Sequence, residues 1–105
     1  MALRNMMVEI KKADVIVTNP THFAVALRYK PETMAAPTVV AKGKGYVALR
    51  IREIAMENDV PFVENKPLAQ ALYKTVDIGK QVPVELFKAV AEVLAHVYRL
   101  KSIRL

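Results

Sequence analysis

An asparagine followed by a proline stands between two apolar runs, in the stretch "DVIVTNPTHFAVAL" at residues 14–27. Asparagine usually deamidates when the amide nitrogen of the next residue attacks its side-chain carbonyl. Proline has no N–H, so that route is closed to Asn19. In the route that remains, the side-chain amide nitrogen of Asn19 attacks its own backbone carbonyl. A cyclic succinimide would form and the peptide bond to Pro20 would break, without any protease.

Two neighbouring residues carry groups that suit this reaction. A primary amide is a weak nucleophile, so it needs a nearby base or a held geometry. His22 can take or give a proton near neutral pH, and Thr21 can hydrogen-bond within a turn. The same residues also fit an ordinary β-turn, because Asn and Pro are favoured at its first two positions. Local chemistry alone leaves open a plain turn and a self-cleaving one.

The elements on either side of this turn are predicted to be strands. Residues 14–18 and 23–29 are short and rich in β-branched and apolar side chains. In the second run, alternation places one set of side chains on a common face: Phe23, Val25, Leu27 and Tyr29. The turn is therefore expected at the tip of a strand-turn-strand unit.

The chain after residue 37 changes from strand to helix and back again. Residues 38–42 and 60–64 predict strands, and helical spacing of apolar residues covers 46–58 between them. A β-α-β unit of this kind is expected to cross over right-handedly and to make two parallel strands. Arg50 and Arg52 lie on the polar side of its helix, which favours solvent exposure, with a partner surface as the other interpretation.

The prediction also includes two further helices and a first segment that fits two interpretations. Asn65 is a candidate N-cap for a short helix, with Pro67 tolerated in its first turn. A longer helix is expected to begin at Pro83, and residues 1–13 read as a short helix or an extended connector. The predicted fold class is α/β: a small mixed four-stranded sheet, mostly parallel with one antiparallel strand, surrounded by about four helices.

Composition excludes several classes of protein. The chain has 105 residues, which suggests one domain, and it contains no cysteine for disulfides, thiol catalysis or zinc–thiolate sites. Two histidines at unrelated positions do not make a metal site, so no metal is expected. "AKGKG" at 41–45 lacks the pattern of a phosphate-binding loop, so no cofactor is expected, and Lys42 and Lys44 are expected in solvent. The first residues lack the apolar region of a signal peptide, which favours a cytosolic chain or the start of a fragment.

The net charge of +6 leaves a second class of function open, a small basic nucleic-acid-binding module. Against it, four aromatic residues do not interleave with basic residues as stacking platforms do: Tyr29, Tyr46, Phe62 and Tyr73. A salt-dependent shift with DNA or RNA would favour this alternative. A third class, a metabolic enzyme, lacks any convergent set of acid, base and nucleophile.

The wider sequence resembles one family over nearly the whole chain, from about residue 5 to about residue 101. The blocks that carry the resemblance are "MMVEIKKADVIVTNPTHFAVALRY", "APTVVAKGKG", "ENDVPFVENKPLAQALY" and "VAEVLAHVYRLK". They are similar to the cytoplasmic domain of the substrate-specificity switch proteins of type III export, the flagellar FlhB and injectisome YscU/SpaS family. The last three blocks look closer to the flagellar branch.

The resemblance implies a function for the asparagine-proline pair. Members cut themselves between the Asn and the Pro of the NPTH motif, here Asn19 and Pro20, with Thr21 and His22 in supporting roles. The cut accompanies a switch of export from rod and hook cargo to filament cargo, on a signal from a hook-length control protein. No external substrate is expected, because the single-turnover reaction acts on the chain itself.

The resemblance also implies a setting. Full-length members carry a membrane region, so residues 1–13 would be a linker or N-terminal helix from that missing region, and 14–105 the autocleaving switch domain. The domain would lie at the cytoplasmic face of the bacterial inner membrane. Its expected partners are other export-gate cytoplasmic domains, the hook-length control protein and exported flagellar substrates, with no nucleic acid.

The two fragments are expected to stay associated after the cut. If 14–18 and 23–29 are strands of one sheet, ladder hydrogen bonds still hold the 1–19 fragment. Burial of Val15, Ile16 and Val17 would add roughly 1.5–3 kcal/mol for each side chain. Cleavage would then loosen one turn and create two new chain ends without unfolding the domain.

Overall fold

The fold is an α/β sandwich of four strands and four helices in the part of the chain that the computed structural model describes, residues 3–20 and 22–103. The elements follow in the order α1 (Leu3–Ile10), β1 (Val15–Asn19), β2 (Phe23–Arg28), β3 (Thr38–Lys44), α2 (Tyr46–Glu57), β4 (Phe62–Glu64), α3 (Lys66–Thr75) and α4 (Phe87–Ile103). A 3-10 turn, Val84–Leu86, leads into α4. The α/β class, the strand number and the helix number agree with the prediction.

The four strands form one mixed sheet in the order β3-β2-β1-β4. β1 pairs antiparallel with β2, β2 pairs antiparallel with β3, and β1 pairs parallel with β4. The prediction of a mostly parallel sheet was therefore wrong, since only one of the three pairings is parallel. The tight turn after β1 dictates an antiparallel hairpin, and β3 then adds to the free edge of β2.

The predicted β-α-β unit is present, but its two strands are not neighbours. β3 and β4 run in the same direction at opposite edges of the sheet, and α2 connects them. By the time β4 is reached along the chain, β2 already separates β3 from β1, and β4 pairs with the open edge of β1. β1 consequently becomes a central strand with a partner on each side.

Each face of the sheet is covered by a pair of helices and carries its own core. Alternation in β2 sends Val25 and Leu27 to one core and Ala24 and Ala26 to the other, as the sequence predicted for Val25 and Leu27. The first core gathers side chains from α3 and α4: Leu68, Leu72, Val90, Leu94 and Val97. The second gathers side chains from α1 and α2: Met6, Ile10, Ala48, Ile51, Ile54 and Ala55.

The ends of the helices follow local sequence signals. The Oδ1 atom of Asn65 accepts a hydrogen bond from the Leu68 N–H at 3.1 Å, which confirms the predicted N-cap of α3. α4 begins four residues after the predicted Pro83, because the 3-10 turn intervenes. Of the two interpretations for the first segment, the structure has the helix, and buried Met6 and Ile10 pack it on the sheet.

Candidate functional site

The asparagine-proline pair lies at the tip of the β1–β2 hairpin. Asn19 is the last residue of β1 and pairs with Phe23, the first residue of β2. The His22 N–H donates to the Asn19 carbonyl oxygen at 2.9 Å, and Asn19 and Pro20 are half-buried while His22 is exposed. The predicted strand-turn-strand setting is confirmed, and the structure brings Asn19, Pro20 and His22 together. Thr21 lies outside the described residues.

The hydrogen bond from His22 falls on the carbonyl that an asparagine cyclisation would attack. Attack by a nitrogen converts a carbonyl into a tetrahedral centre whose oxygen carries developing negative charge. A backbone N–H already aimed at that oxygen polarises the bond and stabilises the charge as it forms. The turn thus places an electrophile and a charge-stabilising donor within four residues.

Other elements hold the same turn from outside. The Pro20 carbonyl oxygen accepts a hydrogen bond from Arg52 Nη1 at 2.6 Å, and the His22 carbonyl oxygen accepts one from the Gly45 N–H at 3.0 Å. On the other side, the Asn65 N–H donates to the Thr18 carbonyl oxygen at 3.0 Å. Backbone groups before and after the Asn19–Pro20 bond are therefore fixed by α2, by the connection before it and by the start of α3.

Arg52 belongs to this site, although its place on the polar side of the predicted helix favoured solvent exposure. Its helix α2 buries Ala48 and Ala55, which lie one turn before it and one turn after it on the same face. These small side chains let the helix approach the sheet, so a long side chain at the edge of the stripe can reach the hairpin tip. The small residues one turn away from Arg52 were the sequence feature that could have indicated this contact. The sequence did not indicate its acceptor, the Pro20 carbonyl, which lies 32 residues earlier.

An aromatic pair fixes the residue that closes the turn. The ring of Phe23 lies 4.8 Å from the ring of Tyr73 in α3. Lys42 Nζ donates to the Tyr73 carbonyl oxygen at 2.8 Å and lies 5.3 Å from the centre of its ring. The expectation that Lys42 faces solvent was wrong, because its stem is partly buried along Tyr73. Lys44 is exposed as expected.

This geometry occurs in a chain that matches a known protein family over most of its length. Residues 1–97 match the model of the FlhB HrpN YscU SpaS Family. The chain belongs to that family. The FlhB proteins of Escherichia coli and Bacillus subtilis are 61% and 59% identical to it, over 99% and 97% of this chain. The chain spans about a quarter of the length of these relatives, 27% and 28% respectively.

Solved structures of the FlhB/YscU/SpaS family have the same fold. The crystal structure of the cytoplasmic domain of FlhB from Shewanella putrefaciens is 48% identical, with a TM-score of 0.94 over 98% of this chain and 79% of that chain. A mutated EscU C-terminal domain is 37% identical, with a TM-score of 0.85 over 88% of this chain and 92% of that chain. The same fold is thus kept in a relative that is 37% identical in sequence.

Two other features, a membrane-spanning helix and a metal-binding cluster, are both absent from residues 3–20 and 22–103. No helix in those ranges combines the length and the apolar character that crossing a bilayer requires. In the same ranges, no three His, Cys, Asp or Glu side chains come together as a metal ion would need.

This FlhB-family domain also has an open apolar groove between the β2–β3 connection and α4. Its volume is about 320 Å³, and its lining includes Tyr29, Ala36, Pro37, Phe87, Leu94 and Tyr98. Burial raises the pKa of Tyr98, and the negative charge of Asp14, the Tyr29 hydroxyl and Glu32 raise it further. The lining of this groove is mainly apolar.

A glycine in β3 lets α2 pack close enough to reach the turn. A Cβ atom at Gly43 would overlap Val47 Cγ1 and lie 3.2 Å from the Ala48 nitrogen, both in the first turn of α2. We expect Gly43→Ala to lower the free energy of unfolding by about 1–3 kcal/mol, because the stiff valine cannot move aside. Urea unfolding monitored by circular dichroism measures this change.

The matched control for Gly43→Ala is the double variant that also carries Val47→Ala. Removing the two methyl groups of Val47 takes away the closest overlap, while Val47 Cβ still lies 2.8 Å from the new Cβ, so only part of the lost stability should return. All variants are compared in an Asn19→Ala background, in which asparagine cyclisation at this position cannot occur. A Gly43→Ala protein as stable as its parent would show that α2 does not depend on this close approach.

Proposed function

We propose that this chain is the cytoplasmic switch domain of a flagellar type III export protein and that it cuts its own backbone between Asn19 and Pro20. One observation carries the proposal: in a member of this family, the Asn19 carbonyl accepts the His22 N–H inside a hairpin turn in which the Pro20 and His22 carbonyls accept hydrogen bonds from Arg52 and Gly45. The turn is already organised around the bond that would break.

The proposed reaction needs no external nucleophile. The Nδ2 atom of Asn19 attacks the backbone carbonyl carbon of the same residue, and a five-membered ring closes. The bond from that carbon to the Pro20 nitrogen then breaks, and the proton lost by Nδ2 goes to the proline nitrogen. Water afterwards opens the succinimide, so the first fragment ends in a carboxylate and the second begins with a secondary amine.

Each residue of the motif has a role in this scheme. Pro20 closes the deamidation route, because its nitrogen carries no hydrogen, and then becomes the leaving group. The backbone N–H of His22 stabilises the oxyanion, and its imidazole is proposed to transfer the proton. Thr21 is proposed to hydrogen-bond within the turn. Asn19 supplies both the nucleophile and the electrophile.

The fragments are proposed to remain together and to act as a switch. β1 belongs to the 1–19 fragment and lies between β2 and β4, so ladder hydrogen bonds on both edges survive the cut. Cleavage frees only the hairpin tip, a local change that can alter which cargo is accepted. The proposed switch is from rod and hook cargo to filament cargo.

The proposal also includes a setting and partners, which membership of the family supports. Residues 14–105 form the switch domain, and residues 1–13 lead from a membrane region to the cytoplasmic face of the bacterial inner membrane. The partners are other export-gate cytoplasmic domains, the hook-length control protein and exported flagellar substrates. Family membership favours this assignment over a basic nucleic-acid-binding module.

A time course of the purified wild-type chain tests the reaction. We expect denaturing electrophoresis and intact-mass measurement to show the full chain decline while two species appear, residues 1–19 and residues 20–105. Their masses should sum to that of the full chain plus one water. A chain that stays whole for days at neutral pH, with no new amino terminus at Pro20, would contradict the proposal.

A further inference from the structure

The carbonyl that Arg52 holds belongs to the leaving group of the proposed reaction. Nη1 of Arg52 donates to the Pro20 oxygen at 2.6 Å, and the charge on the guanidinium donor strengthens this hydrogen bond. Pro20 is the residue on the far side of the bond that would break. The contact crosses from α2 to the hairpin tip, so it joins an element far along the chain to the site of cleavage.

The helix that carries Arg52 is itself fixed. Ile51 and Ala55 on the buried face of α2 are fully buried, so the arginine projects from a packed element. The connection before this helix also donates a hydrogen bond to the turn, from the Gly45 N–H to the His22 carbonyl. Both contacts hold peptide groups of the turn relative to one rigid support.

Such support matters because the proposed nucleophile is weak. Cyclisation requires the Asn19 amide to approach its own carbonyl while the His22 N–H stays on the carbonyl oxygen. Reactions of this kind gain rate when the reacting groups are held near the attack geometry. With the Pro20 carbonyl released, the turn could adopt conformations in which the His22 hydrogen bond is lost.

We propose that Arg52 is a positioning residue for self-cleavage: its guanidinium fixes the Pro20 carbonyl and thereby keeps the Asn19–Pro20 bond in its reactive turn. This proposal rests on the proposed function. Arg52 is not placed among the reacting groups. It acts through the turn, and the neighbouring Arg50, which pairs instead with Glu53 at 2.9 Å on the exposed side of the helix, has no part in it.

The test follows newly made chains by pulse-chase in cell-free translation, with denaturing electrophoresis as the readout. We expect Arg52→Ala to slow cleavage about tenfold or more, equivalent to about 1.4 kcal/mol on the barrier. Arg50→Ala, the matched control, should cleave at the wild-type rate. Arg52→Lys should fall between, because an ammonium keeps the charge but presents a single point donor instead of a planar fork.

Chemical rescue separates positioning from a merely structural role. Methylguanidinium at millimolar concentration should restore part of the rate in Arg52→Ala but not change Arg50→Ala, and neutral methylurea should have no effect on either. In an Asn19→Ala background, the urea unfolding midpoints of Arg52→Ala and Arg50→Ala should agree. Slower cleavage with a lowered midpoint and no rescue would overturn the proposal.

The outcomes also separate this proposal from the proposed function. A wild-type chain that never splits would overturn both. A wild-type chain that splits, beside an Arg52→Ala chain that splits equally fast, would overturn the role of Arg52 and leave self-cleavage standing. Slow but rescuable cleavage of Arg52→Ala supports both.

Discussion

Asn19→Ala is expected to leave a single chain of full length under conditions in which the proposed reaction would divide the wild-type protein into two fragments. Alanine has no side-chain amide, so neither the attacking nitrogen nor the ring can form. The loss should be complete, since no other group in the proposed scheme supplies the nucleophile. Intact-mass measurement of fresh and aged samples distinguishes one species from two.

The control for this variant is Asn65→Ala, at another half-buried asparagine whose backbone N–H also supports the hairpin. Loss of its side-chain cap on α3 should lower stability by about 1 kcal/mol, yet cleavage should continue. This pair separates the chemistry of one asparagine from general destabilisation. Fragments appearing in Asn19→Ala would exclude cyclisation of that side chain as the mechanism.

Ile16→Ala is expected to release the 1–19 fragment from the cleaved protein. Ile16 is fully buried in the middle of β1, where it lies opposite Ala26 of β2 and Phe62 of β4. Truncation of a buried isoleucine to alanine loses about 2–5 kcal/mol. After the cut this loss falls on the association of two chains, so the dissociation constant should rise on the order of 30-fold to several thousand-fold.

Native mass spectrometry and size exclusion over a dilution series measure this release. Val8→Ala is the matched control, because Val8 is 50% exposed on α1 and its truncation removes little buried surface. The double variant Asn19→Ala with Ile16→Ala should lose similar folding stability but keep one mass at every dilution. Fragments that stay together in cleaved Ile16→Ala would mean that β1 contributes little to the association.

Local patterns were enough to predict several features of the hairpin and its supports. The structure agrees with three of these predictions: the two strands joined by the turn, the common core face of Val25 and Leu27, and the N-cap at Asn65. These features depend on side-chain alternation and on hydrogen bonds between residues three or four positions apart. Alternation and local hydrogen bonds depend only on residues close together in the sequence, so they can be predicted without knowledge of the rest of the fold.

The sequence by itself determined which intramolecular reaction is open to the Asn19–Pro20 bond, because the missing proline N–H and the reach of the asparagine amide are covalent facts. Only the tertiary structure decided that β4 joins the free edge of β1 and that Arg52 reaches Pro20. Edge pairing depends on which strand edges remain open once the hairpin and β3 have formed. The arginine contact depends on how closely small residues let α2 approach the sheet, a distance that no pattern of neighbours along the chain specifies.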